Sequence, residues 1–162
     1  GREGTHVLIL GIDPGTRVCG YAVIEVNGPD ARAVDYGVVR AGGDSLARRL
    51  QAVHDGLRTI IDRFGPGVAA LEGAFFGKNA LSALKIGEGR GVALLAAAEG
   101  GLEVIEYAPA EVKKAVTGNG RAQKGQVQQM VRVLLNLPEI PQPEDAADAL
   151  AIALCHFHRL PR

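Results

Sequence analysis

Four acidic side chains stand at positions where a folded protein rarely places unpaired charge. Asp13 and Glu72 each follow directly on a short apolar run. Asp145 and Asp148 lie three residues apart at the start of an Ala- and Leu-rich segment, so on a helix they share one face. Small apolar residues surround Asp148, and burying an unpaired carboxylate costs free energy. The set therefore favours a shared cation site over four unrelated surface acids.

Carboxylate oxygens are ligands that Mg²⁺ and Mn²⁺ prefer. Two such ions about 3.5 to 4 Å apart activate a water molecule and hold the departing oxygen of a phosphodiester. Taken singly, each acid has a plainer interpretation, either a turn residue after a strand or an acid that suits a helix start. Taken together, they predict a centre for two Mg²⁺ or Mn²⁺ ions. The predicted metal ligands, which are also the predicted catalytic residues, are Asp13, Glu72, Asp145 and Asp148.

Positive charge is concentrated in segments near these acids, although the chain as a whole is neutral. The 18 Lys and Arg residues balance 18 Asp and Glu residues, which excludes a uniformly basic surface. Residues 108–133 carry a net charge of +4, whereas residues 136–150 carry −4. Basic segments hold phosphates, and an acidic pocket accepts a phosphate once metal ions neutralise it. The side chains predicted to contact a nucleic-acid strand are Phe75, Phe76, Lys78, Lys113, Lys114, Arg121 and Lys124.

Some of these basic and aromatic segments also have a purely structural interpretation. Phe75 and Phe76 suit either a half-buried core or a base-stacking platform, and an aromatic content of only 4% favours the platform. The glycine-rich segment 117–121 suits either a close approach to a sugar–phosphate chain or a simple turn between helices. Lys85 and Arg90, on the helix predicted after the two phenylalanines, would equally form a solvated face.

The elements that must position these residues follow from hydrophobic periodicity and turn signals. Strands are predicted at 7–12, 20–26, 33–40, 68–72 and 102–107, and helices at 46–61 (capped by Asp44 or Ser45), 79–99, 109–116, 123–135 and 144–158. This order predicts an α/β fold with a mixed five-stranded sheet, in which a three-stranded antiparallel meander is joined by parallel strands and flanked by helices. Neighbouring parallel strands lie about 4.8 Å apart, so Asp13 and Glu72 are expected side by side at strand ends.

Length and composition indicate a single globular domain. A chain of 162 residues with 47% hydrophobic and 22% charged residues has the composition of a folded protein, not of a disordered one. Residues 1–6 do not resemble the start of a folded element and are set aside as a cloning remnant, which leaves residues 7–162 as one domain. The sequence contains no apolar run of about 20 residues, the length that a membrane span needs.

The cysteines and the C-terminal histidines give little support for a zinc site or a disulfide framework. Cys19 and Cys155 are isolated, without a paired spacing, and a reduced, cytoplasmic setting is therefore expected. His156 and His158 form an H-x-H pair, but the sequence offers no further ligands beside them. We expect both at the surface or in a supporting position.

Three motifs in order resemble the RuvC Holliday-junction resolvases of bacteria. They are the segments 11–16 (GIDPGT), 71–79 (LEGAFFGKN) and 145–151 (DAADALA), and the resemblance extends from about residue 7 to residue 158. It implies a ribonuclease-H-like fold, a homodimer, and Mg²⁺- or Mn²⁺-dependent cutting of four-way DNA junctions in recombination and repair. It also implies symmetric nicks with 5′-phosphate and 3′-hydroxyl ends, and the branch-migration proteins RuvA and RuvB as partners.

The resemblance carries over to individual positions. The four acids fall on the family's catalytic acids, Phe75 falls on the aromatic residue that stacks on an unpaired base, and Lys113 and Lys124 fall on residues that touch phosphates near the cut. Phe76 beside Phe75 departs from the family pattern, so which of the two stacks stays open. The broad apolar surface of the helix 79–99 fits either deep burial or a dimer interface, and the resemblance favours the interface.

Two other functions fit part of the sequence. Residues 13–16 match the D-x-G-x-T phosphate loop of actin-like and sugar-kinase proteins, but those proteins need two such lobes, and no G-x-x-x-x-G-K-[ST] sequence is present. A non-catalytic junction- or RNA-binding module of the same fold, or a relative that cuts RNA, is the other alternative. A binding module has no need of Asp148 in an otherwise apolar helix.

Overall fold

Every predicted strand and helix is present in the predicted order. The computed structural model describes residues 6–73 and 79–161. Within them the elements are β1 (His6–Asp13), β2 (Val18–Asn27), β3 (Asp30–Arg40), α1 (Leu46–Phe64), β4 (Val68–Glu72), α2 (Ala80–Glu99), β5 (Glu103–Tyr107), α3 (Pro109–Thr117), α4 (Lys124–Leu134) and α5 (Glu144–Arg159). Strand β1 begins one residue inside the segment set aside as a remnant, because His6 pairs with Asn27 of β2.

The sheet places the first two predicted acids next to each other. Its strand order is β3-β2-β1-β4-β5, with β1 antiparallel to β2 and parallel to β4. The predicted meander and the parallel additions are both confirmed. Ile12 pairs with Leu71 across β1 and β4, so the next residues along the two strands, Asp13 and Glu72, lie at the same edge of the sheet.

Strand β1 is buried on both faces, as its continuous apolar run predicts. Ile9 belongs to the core that β1 shares with α3, α4 and α5, whereas Leu10 belongs to the core that it shares with α1 and α2. Both side chains are 0% exposed. Helices therefore cover both faces of the strand that ends at Asp13.

Helix α5 crosses the sheet with its backbone in direct contact with two glycines. A Cβ atom on Gly11 would lie 2.2 Å from the Ala149 carbonyl oxygen, and one on Gly20 would lie 2.1 Å from the Asp145 carbonyl oxygen. Any larger residue at either strand position would push the helix away. This close approach brings the first turns of α5, and with them Asp148, down onto the end of β1.

The ends of the first two helices match their sequence signals. The Ser45 hydroxyl accepts a hydrogen bond from the Arg48 backbone N–H at the start of α1, and the Asn79 side chain accepts one from Ser82 N–H at the start of α2. Helix α1 ends at Gly65, whose φ of 59° is left-handed. In the part of the chain that the structure describes, no helix combines the length and the apolar composition that a bilayer crossing requires.

Candidate active site

Three of the four predicted acids meet at one point. Carboxylate oxygens of Asp13, Asp145 and Asp148 all lie within 4.8 Å of one another, and all three residues are partly buried. Glu72 is not one of this group, but it lines the same cavity as Asp13 and Asp148. The end of β1 and the first turns of α5 therefore form an acidic centre, which we call the aspartate cluster (Asp13, Asp145 and Asp148), and Glu72 stands beside it.

Burial and mutual repulsion raise the pKa values of three acids at this site. Burial, followed by the neighbouring charges of Asp148, Asp145 and Glu72, raises the pKa of Asp13 to about 8. Burial is also the main cause that raises the pKa values of Glu72 and Asp148 above their ordinary range. A divalent cation bound among these carboxylates would relieve their mutual repulsion.

A cavity of about 600 Å³ joins the acids to the basic segments. Its acidic lining residues come from β1, β4 and α5, and most of its other lining residues come from α3, α4 and the loop between them. The predicted DNA-contacting residues that line it are Lys113, Arg121 and Lys124. Lys114 is exposed and is not among the lining residues. Gln123 also lines the cavity, and sequence reasoning missed it because a glutamine before a helix carries no distinctive signal.

Lys124 of α4 forms ion pairs with two acids of α5. Its Nζ lies 3.2 Å from Asp148 Oδ2 and 3.3 Å from Glu144 Oε2. Burial lowers the pKa of Lys124, but the two carboxylates outweigh that effect and raise the pKa above its ordinary value. The lysine is the first residue of α4, whose start is fixed by a hydrogen bond from Gln123 N–H to Gln126 Oε1. The chain thus supplies one cation of its own to Asp148.

A second, smaller cavity of about 200 Å³ lies against Asp13 and Glu72. Its other lining residues are Pro14, Gly73, Ile86 and Arg90. Arg90, left open in the sequence between a solvated face and a DNA contact, donates from Nε to Glu106 Oε1 at 2.6 Å. Lys85 is exposed, as expected of a solvated helix face.

Three of the predicted DNA-contacting residues lie outside the described part of the chain. They are Phe75, Phe76 and Lys78. The segment that contains them leaves the sheet at Gly73, whose N–H donates to the Tyr107 carbonyl oxygen at 2.8 Å. Gly73, the last described residue before this segment, therefore lies beside the acids, at the end of the strand that carries Glu72.

Of the two placements expected for the histidines, the surface is wrong for His156, whereas His158 lies there. His156 is only 9% exposed, and its Nδ1 lies 2.6 Å from the Tyr107 hydroxyl. The reason is that α5 stays packed against the sheet and α3 up to its last turn, where Tyr107 at the end of β5 meets it. His158 is exposed. Burial lowers the pKa of His156 and so favours the neutral ring.

Helix α2 is not buried on all sides. Gly89, Ala93, Ala96 and Ala97 are buried, whereas the leucines on the opposite side are largely exposed: Leu81 by 62%, Leu84 by 59% and Leu95 by 55%. The spacing of these three leucines puts them on one stripe of the helix. Deep burial, one of the two alternatives for this helix, is therefore wrong for the single chain.

Comparison with known proteins agrees with the site. A family model described as crossover junction endodeoxyribonuclease RuvC matches residues 9–156. A relative of that name from Heliobacterium modesticaldum is 55% identical over 155 residues, which cover 95% of this chain and 96% of the relative. Another from Syntrophotalea carbinolica is 57% identical over 151 residues, which cover 93% of each chain.

A solved structure shares the fold over nearly the whole chain. It is the RuvC of T. thermophilus in complex with a Holliday junction substrate, with a TM-score of 0.89, 38% identity, and coverage of 95% of this chain and 94% of the other. The mixed sheet flanked by helices is thus the ribonuclease-H-like fold that the resemblance implied. The chain belongs to the RuvC family of crossover junction endodeoxyribonucleases.

Proposed function

We propose that this chain resolves four-way DNA junctions by metal-dependent hydrolysis of phosphodiester bonds. The observation that carries the proposal is the aspartate cluster, whose oxygens lie within 4.8 Å of one another, and two of whose members, Asp13 and Asp148, line a cavity that three cations also line. The similar protein from T. thermophilus was solved with a Holliday junction substrate, which supports the choice of DNA substrate. Family membership argues against the nucleotide-binding alternative, which is not proposed.

The residues present suit Mg²⁺ or Mn²⁺. The candidate ligands are all carboxylates, and burial together with the neighbouring acids raises the pKa of Asp13, which a bound cation would offset. We assign Asp13, Glu72, Asp145 and Asp148 as the ligands and catalytic residues of a centre for two ions. When bound, such ions supply an activated water and stabilise the departing oxygen.

The cations of the cavity have a different task in the reaction. Lys113, Arg121 and Lys124 line the same cavity as the acids, so they can hold a phosphodiester that lies over the carboxylates. Lys114, which is exposed and follows Lys113 on α3, is assigned to a neighbouring phosphate of the DNA. Hydrolysis at this site leaves 5′-phosphate and 3′-hydroxyl ends. Such nicks are products that a ligase can seal.

The loop after Glu72 is assigned to the unpaired bases near the crossover. Phe75 or Phe76 would stack on a base there, and Lys78 would contact the backbone. The start of the loop beside the acids supports this assignment, because a base held there lies close to the strand being cut. The family resemblance also suggests that the chain acts beside the branch-migration proteins RuvA and RuvB.

A homodimer across α2 would give the two cuts their symmetry. Leu81, Leu84 and Leu95 form one exposed apolar stripe on this helix, and Gly91 lies on the same side. A two-fold axis through this stripe would place identical active sites on two strands of the junction. The leucine stripe (Leu81, Leu84 and Leu95) is therefore the proposed dimer interface.

A substrate comparison tests the proposed function. End-labelled four-way DNA junctions, linear duplexes and structured RNA are incubated with the chain and Mg²⁺ or Mn²⁺, and the products are sized on a sequencing gel. Symmetric cuts in the junction alone, with products that a ligase reseals, are the expected result. Equal cutting of RNA or of linear duplex would overturn the proposal in favour of a less selective nuclease. Binding without cutting would overturn it in favour of a non-catalytic binding module.

A further inference from the structure

We propose that Arg90 binds a second phosphate of the cleaved strand, next to the scissile one and on the far side of Asp13 and Glu72 from Lys124. The inference rests on the proposed function, and it adds a binding subsite in the smaller cavity. It concerns a residue that the sequence left open between a solvated face and a DNA contact.

The two cavities together outline a path for a strand. They share Asp13 and Glu72, but otherwise their described linings differ. A strand whose scissile phosphate lies over these two acids must continue in both directions, and each of its nucleotides carries a negative charge. The larger cavity meets that charge with three cations. Arg90 is the cation among the described lining residues of the smaller cavity.

The fold sets the position of Arg90 with little freedom. A Cβ on its neighbour Gly89 would lie 3.1 Å from the backbone of Gly15, in the loop that directly follows Asp13. Helix α2 therefore touches the loop after Asp13, backbone against backbone, at the turn that carries Arg90. A bulkier residue at position 89 would move the guanidinium away from the acids.

Glu106 orients the guanidinium and leaves part of it accessible. Arg90 Nε and Nη2 both approach Glu106 Oε1, at 2.6 Å and 2.5 Å. A guanidinium has five N–H donors in a planar fork, so donors remain for a phosphate. The side chains are 35% and 33% exposed, which is enough for a ligand to reach them. We therefore treat Glu106 as the positioning residue and Arg90 as the phosphate contact.

The plainer interpretation is an ion pair that only ties α2 to β5. The two interpretations separate when each partner is neutralised in turn, because Arg90→Gln and Glu106→Gln break the same ion pair. A purely structural pair predicts the same effect from both variants. A phosphate contact predicts loss of DNA affinity from the arginine variant alone.

The test measures binding without cleavage. Fluorescence anisotropy of a labelled four-way junction is followed in EDTA over a range of KCl concentrations. For Arg90→Gln we expect weaker binding and a fall of about 1 in the slope of log affinity against log salt. For Glu106→Gln we expect an unchanged slope, with affinity equal to or above that of the unchanged protein. Arg90→Lys keeps the charge and should keep the slope.

A matched control comes from another exposed ion pair. Arg58 on α1 pairs with Asp62 at 3.0 Å, and Arg58 lines neither cavity, so Arg58→Gln should leave the slope unchanged. If Arg90→Gln keeps the slope of the unchanged protein, or if Arg90→Gln and Glu106→Gln behave alike, the subsite is refuted while the proposed function stands. If the unchanged protein does not bind the junction at all, the proposed function itself fails. A melting curve of each variant shows whether it is folded, and Arg90→Met, which also removes the charge, carries the test if the glutamine variant is not.

Discussion

The Lys124 ammonium nitrogen lies 3.2 Å from Asp148 Oδ2, so a lysine at the start of α4 neutralises one acid of the aspartate cluster. Glu144, one helical turn before Asp148, accepts the same ammonium group at 3.3 Å. The lysine therefore occupies a position where it can be shared between the acids and a phosphate. A divalent ion bound to Asp148 would compete with it, while Glu144 would still retain it.

This geometry predicts opposite effects of Lys124→Gln on metal binding and on cleavage. Removing a cation 3.2 Å from Asp148 should tighten Mn²⁺ binding about two- to fivefold, the scale of a half-exposed ion pair. Cleavage should slow about 100-fold, because a group that stabilises charge on the phosphate is lost. Calorimetry without DNA and single-turnover cleavage measure the two effects. Arg58→Gln is the control, since Arg58 lines neither cavity, and weaker Mn²⁺ binding by the Lys124 variant would contradict the account.

The metal-free protein should lose stability as the pH rises from about 4 to 8. Burial and the neighbouring acids raise the pKa of Asp13 to about 8 in the folded chain, against an ordinary value of 3.8. The folded state binds this proton more tightly than the unfolded state does. The contribution of Asp13 to the free energy of unfolding is therefore complete below pH 3.8 and is lost as the pH rises through about 8. Asp13→Asn removes this titration.

The expected readout is the difference in melting temperature between Asp13→Asn and the unchanged protein in EDTA. Relative to the unchanged protein, the variant should become more stable from pH 4 to pH 8, by at least about 1 kcal/mol, which corresponds to about 2 to 4 °C in melting temperature. Exposed Asp62, replaced by asparagine, serves as the control for an acid outside the cluster. A difference that stays constant over this pH range would show that Asp13 is not strained in the folded state.

Divalent ions should stabilise the folded chain through the same acids. Binding to the native state at about one hundred times the dissociation constant adds about 2.7 kcal/mol to the free energy of unfolding. We expect Mn²⁺ to raise the melting temperature of the unchanged protein, and to have little effect on a double variant Asp13→Asn, Asp148→Asn. A melting temperature indifferent to millimolar Mn²⁺ would argue against a cation site formed by these carboxylates.

The leucine stripe on α2 predicts a variant that separates dimerisation from folding. Leu84 is 59% exposed in the single chain, so Leu84→Glu should produce monomers without destabilising them. Sedimentation velocity measures the oligomeric state, and thermal unfolding checks the monomer. The control is Val133→Glu, which places the same charge at a 53% exposed apolar position on α4, outside the leucine stripe. If Leu84→Glu leaves the oligomeric state unchanged, as the control should, α2 is not the interface.

The sequence was sufficient to predict the acidic centre because its parts obey local rules. Apolar runs that end in an acid predict strands, and the α/β order predicts that the two strands run parallel, which brings their terminal acids to the same edge of the sheet. An acid inside an apolar helix, as with Asp148, has few satisfactory positions other than a shared site. These are statements about periodicity and about the cost of burying charge, and both can be read without coordinates.

The remaining features depend on contacts between distant segments. The contact of Gly89 with Gly15 places Arg90 beside the acids, yet the sequence shows only a glycine in an Ala-rich helix. The pairing of Lys124 with Glu144 depends on how α4 approaches α5. The burial of His156 depends on Tyr107, 49 residues earlier in the chain. Long-range packing decides each of these positions, and hydrophobic periodicity does not encode it.

The central claim is that the aspartate cluster performs the cleavage and is not required for recognition of the junction. Asp148→Asn keeps the shape of the side chain and removes its charge, so the variant should bind a four-way junction at least as tightly as the unchanged protein. Its cleavage in Mn²⁺ should fall to background in a single-turnover assay on the same junction. Cleavage by the folded Asp148→Asn variant at the rate of the unchanged protein would contradict the account.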